Sequence, residues 1–194
     1  MNRLQELLAS GRVDMQALES YLDAIDGARR KREVLSLGRA QQRRLFDAAE
    51  GHRPIGLDHL VGDDTPNLTE VVHHGLNTLP AFRTFAKVFA RPDRGEGELW
   101  GYNRNPTLIE TAVGPGYFIA HDHHVPGELL VNYLLLPPRG LPGWPAVIPN
   151  SERLSRFVYH GTQDVLRGVS RHVCIGRAQK GGRFLPAWFV LVRD

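Results

Sequence analysis

RHVCIGRAQKGGRFLPAWFVLVR, residues 171–193, is the stretch that decides the class of fold. Arg171 to Gln179 and Phe184 to Arg193 read as two strands joined at Lys180-Gly181-Gly182. Glycines accept the turn backbone, and the flanks are β-branched and aromatic. The run Ala187 to Val192 is apolar on both alternating faces, which marks a strand covered on both sides and central in its sheet. Pro186 has no N–H to give a ladder, so it belongs at the beginning of that strand or at a bulge. Cys174, between Val173 and Ile175, reads as a small buried hydrophobe. It is the sole cysteine, which rules out an intramolecular disulfide and points to a reducing, cytoplasmic setting.

Working back from this hairpin, turns come every few residues. Glu98 to Asn103, Thr107 to Val113, Gly116 to His123 and Glu128 to Leu136 read as strands, divided by Asn105-Pro106, Gly114-Pro115 and Pro126-Gly127. Gaps this short join only antiparallel neighbours. After a Pro-rich loop from Pro137 to Pro149, Asn150 or Ser151 opens a helix carrying Leu154, Phe157 and Val158. A further helical piece is expected from Asp164 to Val169.

The front half has helical spacing. Leu4, Leu7 and Leu8 form one apolar face. Asp14 caps a second helix through Met15, Leu18, Leu22 and Ile25. A third segment runs from Ala28 to Glu50, divisible at Ser36, and ends at Gly51. Residues 52–78 read as loop. Thr78 and Pro80 then open a helix whose Phe82, Phe85 and Phe89 pack on the sheet. The expected fold is α+β: N-terminal helices, then, from about residue 97, a mostly antiparallel curved sheet or half-open barrel of about six strands with covering helices. Residues 1–51 form a helical segment packed on a main domain of 52–194, in one compact unit.

Net charge is +3, and the excess lies behind residue 97. So mild a surplus does not support nucleic acid as partner. The cations are arginines except for Lys31, Lys87 and Lys180. The longest apolar run, Leu129 to Leu136, is far short of the roughly 20 residues of a membrane span.

Chemistry has three candidate places. His121 and His123 share one face of a strand, and Glu128 can fold back over the Pro126-Gly127 turn. Two imidazoles and a carboxylate suit a divalent metal, zinc or iron. The spacing His121-x-His123-x4-Glu128 resembles the first metal motif of the cupin family over those residues. The glycines of that motif are displaced, Leu135 stands where one is expected, and the second motif has no counterpart, so membership is not assigned. His74, Asn77 and Arg83 can face a ligand from the loop before the Phe82 helix. Tyr102, Tyr117 and Tyr133, beside strand glycines, can line a pocket.

No nucleotide loop, nucleophile elbow or zinc knuckle is present, and the residues favour a small-molecule-binding or accessory protein over an enzyme. A metal-dependent oxidoreductase or hydrolase at His121, His123 and Glu128 is the alternative. An interaction module, pairing its amphipathic helices with a second copy or another protein, is a further one.

Overall fold

Asp14 and Asp26 begin helices because each carboxylate accepts a backbone N–H that the first turn leaves unpaired, from Ala17 at 3.0 Å and from Arg29 at 2.8 Å. The computed structural model describes residues 1–9, 11–80, 83–105, 114–150 and 161–193. Its helices are α1 (Arg3–Ala9), α2 (Met15–Ala24), α3 (Gly27–Val34) and α4 (Arg39–Ala48). The segment expected from Ala28 to Glu50 is divided at 35–38. There the Ser36 hydroxyl donates back to the Glu33 carbonyl, and Gly38 donates to the Gln41 side chain at 2.8 Å, opening α4. Gly51, at φ 66°, lets the chain leave α4 as expected.

Among the described residues eight strands follow: β1 (Val71–Asn77), β2 (Thr84–Ala90), β3 (Glu98–Arg104), β4 (Phe118–Asp122), β5 (Leu129–Asn132), β6 (Thr162–Ser170), β7 (Val173–Lys180) and β8 (Arg183–Val192). Each pairs antiparallel with the next, and β8 pairs with β1, closing a barrel. The antiparallel sheet is as expected; its six strands and open edge are not. β1 lies in the stretch read as loop, so the change from helix to strand falls before residue 71 and not near 97. β2 replaces the expected Phe helix. Phe85 and Phe89, four apart, satisfy a helical and a two-residue period alike, and pairing of β2 on both sides decides for the strand. Thr78 does not cap a helix: its N–H donates to the Trp188 carbonyl and its hydroxyl accepts from the Trp188 N–H at 3.0 Å, extending the β1–β8 ladder. β6 replaces the helical piece expected at 164–169. Phe82, the strand expected at 107–113 and the helix expected to follow Asn150 (151–158) lie outside the described residues.

The strands bury both faces. Outside, the helices lay Leu4, Leu8, Leu18, Leu22 and Phe46 against Val173, Ile175, Trp188, Val190 and Val192. The helical apolar faces are therefore covered by the barrel itself. A second outer patch, Val88, Trp100, Tyr102, Tyr117 and Ile119, is covered by Leu141 and Trp144. Inside are Phe89, Leu99, Phe118, Leu129, Val131, Leu166, Cys174 and Leu191. The clean double-sided run in β8 thus has its cause, and the register shift opposite residues 185–187 accommodates Pro186. Among the described residues no helix is long and apolar enough to cross a membrane.

Three inward glycines make room for phenylalanine rings on the neighbouring strand: Gly75 under Phe85, Gly101 under Phe118 and Gly176 under Phe189. One barrel end is stoppered by the segment before β1, which inserts Ile55, Leu60 and Val61 and bridges Gly168 through Arg53. A Cβ on Gly101 would lie 2.3 Å from Phe118 Cε2 and 2.5 Å from the Val88 carbonyl oxygen. Gly101→Ala is therefore expected to destabilise the fold by about 1–3 kcal/mol, read as a lower urea midpoint at unchanged slope.

Candidate functional site in the barrel interior

An inward position on a strand of an eight-stranded barrel is filled by side chains, so polarity there is costly unless every group is paired. Lys87 sits at such a position, between Phe85 and Phe89, directly across from Asn103 on β3. Lys87 is 1 % exposed, Asn103 2 % and Asp164 of β6 6 %. Tyr133, just past the end of β5, completes the group.

The hydrogen bonding closes on itself. The Lys87 ammonium donates to Asp164 Oδ2 at 3.1 Å, to Asn103 Oδ1 at 3.0 Å and to the Tyr133 hydroxyl, so all three of its protons have acceptors. The Tyr133 hydroxyl donates to Asp164 Oδ2 at 3.2 Å and accepts from Asn103 Nδ2 at 3.1 Å. The same Asn103 amide reaches the Gly116 carbonyl. Around the ammonium stand Phe118, Tyr133, Phe189 and Phe85, with ring centroids 4.9–5.7 Å away. Rings at this range stabilise a desolvated cation. Burial pulls the lysine below its ordinary pKa, while the Asp164 carboxylate opposes that pull. Beyond this group the interior side chains are mostly apolar, and the Cys174 thiol is pushed up to about 12 by burial. His73, inward on β1, is held down to about 4 by burial and donates through Nε2 to the Leu60 carbonyl of the stopper.

Of the residues singled out from sequence, only Tyr133 belongs to this cluster. Tyr102 and Tyr117 come together, ring centroids 5.6 Å apart, on the outer face against Trp144. There the Tyr117 hydroxyl donates to the Pro145 carbonyl. Asn77 and Arg83 flank the β1–β2 connection, where the Asn77 N–H donates to the Arg83 carbonyl. His74 points outward on β1, since its neighbour His73 faces in.

His123 and Glu128 are brought together: Nδ1 and Oε2 are 3.1 Å apart. The other Glu128 oxygen accepts from Arg167 Nε at 2.7 Å. Arg167 in turn stacks on Phe46 and donates to its carbonyl, tying the barrel to α4. Burial lowers the pKa of His123, with His124 adding to the effect and Glu128 resisting it. His121 pairs instead with the Asp122 carbonyl. Among the described residues no three His, Cys, Asp or Glu side chains converge as metal ligands.

Sequence reading passed over Lys87, Asn103 and Asp164. The available signal was Phe85-x-Lys87-x-Phe89: one of only three lysines in an arginine-rich chain, on the apolar side of a two-residue alternation. Comparison of the chain with protein-family models, curated sequences and solved structures returns no match.

Lys87→Ala would strand the Asp164 carboxylate in the barrel and is expected to cost about 3–5 kcal/mol. The volume-conserving pair Lys87→Met/Asp164→Leu removes both charges and should recover most of that loss. Denaturant unfolding of the three proteins measures the difference, and equal destabilisation by both variants would contradict it.

Proposed function

We propose that this protein binds a small organic molecule at the Lys87 cluster, entering from the barrel end that carries the β1–β2, β3–β4, β5–β6 and β7–β8 connections. The supporting observation is the cluster itself: four polar groups, two of opposite formal charge, in an interior that aliphatic and aromatic residues mostly fill elsewhere. Such a pair is seldom the cheapest way to stabilise a core, because apolar replacements of equal volume are often neutral or better. Perturbed ionisable groups of this kind concentrate at functional sites. Small eight-stranded barrels hold ligands in their mouths, with a few polar groups fixing orientation on apolar walls.

The cluster also narrows the ligand. Lysine donates to three acceptors already present, so a ligand engages it by supplying an oxygen in place of Asn103 or Tyr133. The rings around it favour a flat apolar body. A carboxylate or carbonyl compound with an aromatic or unsaturated frame fits both requirements. Thermal-shift screening of such a panel should find compounds that raise the melting temperature of the native protein. The same compounds should leave Lys87→Met/Asp164→Leu, itself folded, unmoved. A panel that moves neither protein, or both equally, rejects this site.

A second reading, metal-dependent chemistry beside β4, has one observation in its favour. His123 is oriented by Glu128, while its Nε2 is buried with no partner, which is how a carboxylate presents an imidazole to a metal. Against it stands Arg167 on the same carboxylate. Elemental analysis decides: zinc or iron at one per chain, lost in His123→Ala, supports it, and protein purified without metal ends it.

A further inference from the structure

The stoppered end of the barrel carries a second polar concentration, unrelated to Lys87. Arg53 and His59 arrive on the segment before β1, Arg171 and His172 on the β6–β7 turn, and Arg193 just after β8. Together with Asp58 they line a cavity of roughly 300 Å³. Three chain segments far apart in sequence thus deliver three guanidinium groups and two imidazoles to one hollow.

Part of this charge is matched. Arg53 donates through Nη1 to Glu19, and Arg171 is held by Asp23 at 3.3 Å. The rest is not. Among the described residues the Arg193 guanidinium has no hydrogen bond or ion pair, and its Nε is buried. Arg53 Nε and His172 Nδ1 are also buried without partners. Buried polar nitrogens in native proteins nearly always find a partner in protein, water or ligand, and these three belong to residues that line one hollow. His59, nine-tenths buried, makes no side-chain hydrogen bond among the described residues either. Burial, then His73, Arg193, Arg53 and His172, force it down to about 3. His172 is lowered too, by burial and then by Arg30 and Arg193, with Asp23 opposing. Of the residues that line the hollow, three are arginines and one, Asp58, is a carboxylate.

We propose that this cavity binds a tetrahedral oxyanion, the phosphate of a small phosphomonoester, with Arg193, Arg53 and His172 as its donors. Arginine suits the task because its planar fork matches phosphate oxygens and stays charged when buried. The volume, at the lower end of ligand pockets, admits a phosphate with a few further atoms and excludes a nucleotide-sized body. Asp58, exposed at the rim, repels a second anionic group and so favours ligands with one phosphate. Inorganic phosphate shares the chemistry and is the other source of the anion.

The experiment uses the whole protein at pH 7.5 and constant ionic strength. Inorganic phosphate, phenyl phosphate and glycerol phosphate are each titrated against matched chloride, with binding followed by calorimetry and melting temperature. Saturable binding is expected with the native protein, weakened about tenfold or more in Arg193→Gln and less severely in Arg193→Lys. Arg183→Gln, at the start of β8 at the other end of the barrel, should bind as the native protein does. Tighter binding of an ester than of phosphate assigns the site to an organic phosphate; equal binding assigns it to the free anion. Arg193 has no side-chain partner to lose among the described residues, so its variants should fold; His172→Gln supplies an independent test of the same hollow. A phosphate response no larger than that to chloride, or one unchanged in both Arg193→Gln and His172→Gln, overturns the proposal. Lys87→Met/Asp164→Leu should retain the phosphate response, which separates this site from the interior one.

Discussion

The return of β8 to β1 is the constraint on which the remaining structure rests. A meander of eight strands left open would present two unpaired edges, each a template for association with another chain. Pairing His74 through Asn77 with Phe189 through Val192 removes both. Closure also fixes what each strand must be. One face of every strand turns into a narrow interior, and the other becomes an outer surface that has to be wetted or covered. Around β6, β7, β8 and β1 it is covered by the four helices, and around β2, β3 and β4 by the segment containing Leu141 and Trp144. The helices are thus the outer layer of the closed sheet.

Inside, volume is managed by pairing the smallest residue with one of the largest. Gly75, Gly101 and Gly176 each accept a ring from the adjacent strand. The rings so placed, Phe85, Phe118 and Phe189, also surround the Lys87 ammonium. Packing and electrostatics are therefore one arrangement. The glycines set where the rings lie, and the rings make a dry cage in which a lysine is tolerable once Asp164, Asn103 and Tyr133 satisfy it. The same low dielectric that strengthens this network makes each member expensive to remove alone.

Legibility in the sequence followed the local signals. The caps at Asp14 and Gly51, the break near Ser36, the burial of Cys174, and the final hairpin with its bulge near Pro186 were all readable, because each rests on residues adjacent in the chain. β2 and β6 were not, and the cause is instructive. Both carry a charged residue on the inward face, Lys87 in one and Asp164 in the other, which spoils the alternation that identifies a strand. β1, with His73, His74 and Gly75 at its middle, hides for the same reason. The residues that make up the interior cluster are the ones that disguised the strands bearing them, as happens where local preference yields to a site. Closure itself left no local trace, since β1 and β8 meet only in three dimensions.

That long-range meeting has a kinetic side. Seven of the eight pairings join strands consecutive in sequence, whereas the eighth joins residues more than a hundred positions apart. A contact so distant is slow to form, because chain entropy is lost before the contact returns anything. The polar interior group takes its members from β2, β3 and β6 and from the end of β5, on opposite walls of the cylinder. Those walls face each other across a dry space only when the cylinder is shut. Lys87 and Asp164 stay hydrated in any open sheet and lose their water in the closing step. The pair exists only while the cylinder is shut, so the ion pair serves the native state as a latch.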